Sequence, residues 1–111
     1  MSSFDLSELY KVIKDRKGGD PETSYTAKLF YKGRNKIAQK FGEEAVEVVI
    51  DYIDNKKKGV IGESADLIYH LLVLWADMGI KPNDVMDELH NRKGMSGIDE
   101  KNSRNKKEKN G

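Results

Sequence analysis

The sequence predicts an all-α fold: an antiparallel bundle of four to five helices, completed by dimerisation. Three observations carry this expectation. Apolar residues recur at intervals of three and four in separate stretches, and no stretch alternates apolar with polar residues as a half-buried strand does. Short runs rich in Gly, Pro, Asn and Lys punctuate the stretches, which makes the connections short and the neighbouring helices antiparallel.

Each element follows in order. Asp5 and Glu8 have capping-box spacing, and Leu6, Leu9, Tyr10 and Ile13 repeat helically, so a first helix runs to about Arg16 before Gly18 and Gly19 stop it. The run GGDPETSYT reads as a loop, with Ser24 or Thr26 capping a short helical turn, AKLFYK, that Gly33 closes. From Asn35 to about Asp54 a long amphipathic helix presents Ile37, Phe41, Ala45, Val48, Val49 and Tyr52 on one broad face, and NKKKG is its exposed stop. The next helix runs from about Val60 to Met78. Its stretch ADLIYHLLVLWA is apolar nearly all round apart from Asp66, so it needs cover on several sides. Pro82 suits a first helical position and opens a last helix that Gly94 ends.

With 111 residues, the chain has room for one domain, assigned to residues 1–104, and residues 105–111 form a basic tail expected to be disordered. A net charge of +1 argues against bulk attraction to nucleic acid or to an anionic membrane. No run approaches the roughly 20 apolar residues of a membrane span, and MSSFDLSELY has neither the basic start nor the apolar run of a signal peptide. The expected compartment is the cytoplasm. The absence of cysteine removes disulfides, thiolate nucleophiles and cysteine-ligated metals together.

The chemistry lies in two acidic pairs. Glu44 and Glu47 on the third helix, and Glu63 and Asp66 on the fourth, stand three residues apart, so each pair projects from one helix face. In so charged a chain, one such pair on a helix surface is ordinary solvated decoration. The second pair interrupts an apolar helix, where carboxylates are rare unless paired or metal-bound, and it carries the argument. Two carboxylates about 6 Å apart repel by roughly 3 kcal/mol at an effective dielectric near 20, and a cation relieves that repulsion. Hard oxygen donors without cysteine favour magnesium, or manganese, over zinc, iron or copper, and carboxylate-bound magnesium commonly bridges to phosphate oxygens. A polyphosphate substrate is implied. Lys40 serves equally as an i,i+4 partner of Glu44 or as a phosphate contact. His70 is expected to be a hydrogen-bonded core histidine and is not counted as a ligand.

The segments SYTAKLFYKG, QKFGEEAVE, ESADLIYHLLVL and GMSGIDEKNSR resemble the phosphoribosyl-ATP pyrophosphohydrolase family of histidine biosynthesis, with residues 4–104 inside the match. ExxE followed by ExxD is shared with the wider all-α, MazG-like nucleotide pyrophosphohydrolases. The block KFGEEAVE, the run DLIYHLLVL and the close SGIDEKNSR are similar to the histidine-pathway enzymes in particular. The resemblance implies hydrolysis of phosphoribosyl-ATP to phosphoribosyl-AMP and pyrophosphate, a magnesium requirement and a homodimer. It also implies that Glu44, Glu47, Glu63 and Asp66 are catalytic metal ligands, with Lys40 a basic substrate contact and Glu43 a helper. Ser24, Tyr25, Thr26 and Lys28, with Arg92, Ser96, Gly97, Lys101 and Arg104, match the family's two substrate-contacting segments. Phe41 and Asn102 depart from the family pattern at positions that are not ligands.

Three rival readings remain at this level. A house-cleaning nucleoside triphosphate pyrophosphohydrolase shares the acidic motifs but has no use for the cations that an additional 5'-phosphate requires. A carboxylate-bridged di-iron bundle needs Glu-x-x-His, which neither acidic helix contains. A non-enzymatic bundle adapting to nucleic acid through NRKG and NKKEK lacks interleaved aromatics for base stacking.

Overall fold

Residues 5–93 are described by a computed structural model, and among them five helices and no strand occur. They are α1 (Leu6–Asp15), α2 (Tyr25–Lys32), α3 (Arg34–Ile53), α4 (Lys57–Met78) and α5 (Pro82–Arg92). Local chemistry sets their starts. The Asp5 carboxylate accepts from the Glu8 N–H at 2.9 Å, the Ser24 hydroxyl accepts from the Ala27 N–H at 3.1 Å, and at α5 the Lys81 N–H donates to the Asp84 carboxylate at 2.9 Å. Gly33 is the one residue between α2 and α3, and its φ of 94° is a conformation that side chains resist, so glycine makes this abrupt corner.

The expected boundaries hold within a few residues, and two corrections are informative. NKKKG is not wholly a connection: Asn55 turns with φ 58°, and α4 begins inside the run at Lys57, before the expected Val60, because lysine propagates a helix well. The resulting 22-residue α4 is long and apolar enough by length and composition to cross a membrane. The expectation that no segment approaches that test is therefore corrected; here the C-terminal part of the helix supplies Leu72, Val73, Trp75 and Ala76 to the core.

The backbone of the fold is the α3–α4 hairpin, two antiparallel helices about 30 Å long. They approach so closely near the turn that a side chain at Gly59 would overlap the Asp51 carboxylate. α1 and α2 cover only one end of the hairpin. There Tyr10 and Ile13 of α1, Leu29 of α2, Ile37 of α3, and Leu72, Val73, Trp75 and Ala76 of α4 form the core, and Leu72 and Val73 are wholly shielded from solvent. Lys17 fastens the α1–α2 loop over this end, lying 5.6 Å above the Phe30 ring and 3.7 Å from Asp77. The other end is open. Val49 and Tyr52, expected on the buried face of α3, are 53% and 75% exposed, because neither short helix reaches them.

Candidate active site

Because α3 and α4 run antiparallel and in contact, the two acidic pairs face each other across the hairpin. One carboxylate oxygen from each of Glu44, Glu63 and Asp66 can be chosen so that all lie within 4.8 Å of one another. Glu44 and Glu63 are half-buried; Asp66 is exposed. The expectation that Asp66 sits inside a buried stretch is thus corrected, and the reason is the one-ended cover: the buried residues of α4 begin at His70, one turn later.

Glu63 records the crowding. Its Oε2 is screened from water and lacks a hydrogen-bond partner. Glu47 first, then Glu44, stand close enough to share a proton with this carboxyl, and with partial burial they push its pKa up to about 7. A hydrogen bond between two carboxyl groups exists only while one holds a proton, so once all of them ionise, Glu44 and Glu47 offer Glu63 no donor. Glu47 stays outside the set of three yet remains the strongest influence on Glu63.

A cation fits this arrangement. At magnesium–oxygen bonds of about 2.1 Å, two ligands of one octahedral ion stand about 3.0 Å apart when adjacent and about 4.2 Å when opposite, so the three oxygens, now within 4.8 Å of one another, have to draw closer by side-chain rotation to share one ion. The donor set is all oxygen, as hard divalent ions prefer. Among the described residues, the ammonium group in contact with it is that of Lys40, 3.7 Å from Glu43 and 3.8 Å from Glu44. Such helix-surface pairs stabilise by about 0.3–0.5 kcal/mol, too little to balance four carboxylates.

Beside the carboxylates stands an aromatic group. The Tyr25 and Tyr69 rings stack at 6.4 Å between centroids, and His70 meets Tyr69 edge-on at 5.1 Å and Tyr25 at 6.2 Å. The Thr26 hydroxyl shares a hydrogen bond with the Tyr69 hydroxyl, fastening α2 to α4. Burial pushes the Tyr69 pKa up, and burial also lowers that of His70 against the opposing influence of Glu44. Sequence reasoning missed Tyr69. Its position three residues after Asp66 was the available signal, obscured because the run around it reads as core.

The remaining sequence-predicted residues divide. Ser24 caps α2 and Thr26 holds Tyr69, so both have structural tasks next to the site. Tyr25 is half-exposed beside it, and Lys28 is exposed on α2. Arg92 pairs with Glu88 at 3.0 Å on α5, whose main packing partner is α1. Ser96, Gly97, Lys101 and Arg104, with the Gly94 helix stop and the basic tail, lie outside the described residues.

Comparison with known proteins finds that residues 6–93 match the family described as phosphoribosyl-ATP pyrophosphohydrolase. The chain is 64% identical over 102 residues to the phosphoribosyl-ATP pyrophosphatase of Paramagnetospirillum magneticum, covering 92% of this chain and 94% of that protein. It is 57% identical over 104 residues to the protein of the same name from Azospirillum brasilense, covering 94% of each. With that of Gluconobacter oxydans it shares 54% identity over 101 residues, covering 91% of this chain and 76% of the relative.

Proposed function

The chain belongs to the phosphoribosyl-ATP pyrophosphohydrolase family, and from that premise we propose that it cleaves phosphoribosyl-ATP with water to phosphoribosyl-AMP and pyrophosphate, a step of histidine biosynthesis, at the α3–α4 carboxylates. The observation that carries this reading is the convergence of Glu44, Glu63 and Asp66 around a Glu63 oxygen that has no partner of its own.

Glu44, Glu63 and Asp66 hold the cation, with Glu47 completing the set through its contact with Glu63. Magnesium, or manganese in its place, supplies a charge that draws electron density from the triphosphate oxygens and eases departure of pyrophosphate. One carboxylate among Glu43, Glu44 and Glu47 takes the proton released by the attacking water. Lys40, released from its weak pairs, turns its ammonium to a phosphate oxygen. Ser24, Tyr25, Thr26 and Lys28 border the site from α2, and Arg92, Ser96, Gly97, Lys101 and Arg104 supply polar contacts and cations for the additional 5'-phosphate.

The open end of the hairpin supports a homodimer. Val46, Val49, Ile50, Tyr52, Ile53, Ile61 and Ile68 are all exposed along α3 and α4, apolar side chains that a second copy would cover. The enzyme works in the cytoplasm, with the rest of a biosynthetic pathway. The test is direct: purified protein given phosphoribosyl-ATP and magnesium should release one pyrophosphate per substrate and stop when magnesium is chelated. Absence of release overturns the reading. Equal turnover of ordinary nucleoside triphosphates replaces it with a house-cleaning activity.

A further inference from the structure

His70 is used by nothing described so far. It is 5% exposed, and its Nδ1 is screened from water without a hydrogen-bond partner. The sequence led us to expect a satisfied core histidine; the structure places an unsatisfied one beside the carboxylates. Nearly all buried polar atoms in proteins have a partner, because leaving one unpaired forfeits its hydration without return. Tyr69 of α4 and Tyr25 of α2 meet the imidazole edge-on and fill two of its sides with carbon. The charges felt at the ring are Glu44 and Lys40 on the facing α3, and Asp66 one turn earlier on α4, with Glu44 the strongest. Burial favours the neutral ring, which carries a single N–H.

We propose that His70 is a positioning residue for the cation site: its Nδ1–H donates to the Glu44 carboxylate when that carboxylate holds a divalent cation, fixing which oxygen faces the metal. Glu44 meets Lys40 at 3.8 Å and the Glu63 carboxyl, and Nδ1 of His70 has no partner. Hydrogen bonds from outer residues to ligating carboxylates commonly govern metal affinity in this manner. The inference rests on the carboxylates being the cation site.

Isosteres decide it. An asparagine amide nitrogen reproduces the position of Nδ1, a glutamine amide nitrogen that of Nε2, and phenylalanine keeps the ring shape without either. Magnesium binding to the substrate-free protein, measured by calorimetry, should stay within about threefold of wild type in His70→Asn and weaken about tenfold or more in His70→Gln and His70→Phe. Wild-type affinity in His70→Phe overturns the proposal. Equal weakening in His70→Asn and His70→Phe also overturns it, since that indicates loss of packing. No binding by wild type removes the cation site itself, and this proposal with it. If the variants fail to fold, nitrogen-15 spectra of wild-type imidazole with magnesium decide, using exposed His90 as the internal reference: a neutral His70 protonated at Nδ1 supports the proposal, and one protonated at Nε2 overturns it.

Discussion

The two ends of the α3–α4 hairpin are built from the same two helices and differ in what covers them. At the covered end, Ile37 and the Leu72–Ala76 segment meet α1 and α2, and polar groups are almost absent. Past His70 the cover stops, and four carboxylates stand beside exposed Val49, Ile50 and Ile53. A carboxylate cluster of this kind destabilises a chain that holds no cation. One end therefore supplies folding free energy, and the other is free to be unfavourable until it is loaded.

The largest expected effect breaks the covered end. Leu72 is fully shielded and touches the centre of the core, so Leu72→Ala should cost about 3 kcal/mol of stability in denaturant titration, within the usual 2–5 kcal/mol for such truncations. Asp66→Asn at the open end should do the reverse. It should lower pyrophosphate release about 100-fold or more, equivalent to about 2.7 kcal/mol of barrier, while helix content stays intact. Near wild-type turnover in Asp66→Asn, or a collapse of its helix content, contradicts the division into a stabilising end and a working end.

A smaller effect sharpens the reading of the exposed apolar face. Ile53 is 73% exposed in the single chain, so a charge there costs the isolated fold little. If the face is a dimer interface, Ile53→Glu should raise the dimer dissociation constant about tenfold or more, about 1.4 kcal/mol, in sedimentation equilibrium. An unchanged dissociation constant moves the interface elsewhere, and a monomeric wild type removes it.

Much of this was legible in the sequence, and the failures share one cause. Asp5, Ser24 and Pro82 announced helix starts because capping chemistry is local, and the ExxE and ExxD pairs were legible because three-residue spacing fixes a helix face. The exposure of Asp66, Val49 and Tyr52 was not. Periodicity says which face of a helix is apolar and is silent on which end another helix will reach. The setting of His70 was hidden for a related reason: an apolar run reads as core, and only the folded chain shows Tyr25 and Tyr69 edge-on to the ring and an Nδ1 without a partner.

The smallest effect tests whether the open end is poised for a cation. In the metal-free protein Glu47 and Glu44, with partial burial, raise the Glu63 pKa to about 7, against an ordinary value of 4.5. Below about pH 4.5 the carboxyl is protonated in folded and unfolded chains alike, and its contribution to stability is fully present. Between about 4.5 and 7 the folded chain keeps a proton that the unfolded chain has lost, so this contribution falls as pH rises through the window. Glu63→Gln carries no such proton. With chelator present, wild type should therefore lose melting temperature relative to Glu63→Gln between pH 5 and pH 8, and the variant should melt higher at the upper end. Saturating magnesium should reverse the order, because the cation binds the ionised site of wild type and gains as protons leave, whereas the variant has lost a ligand. Thermal melts of both proteins at four pH values, with chelator and with magnesium, give the comparison. Parallel curves in every condition mean that the carboxylates are a solvated surface, and the open end then has no claim to being a cation site.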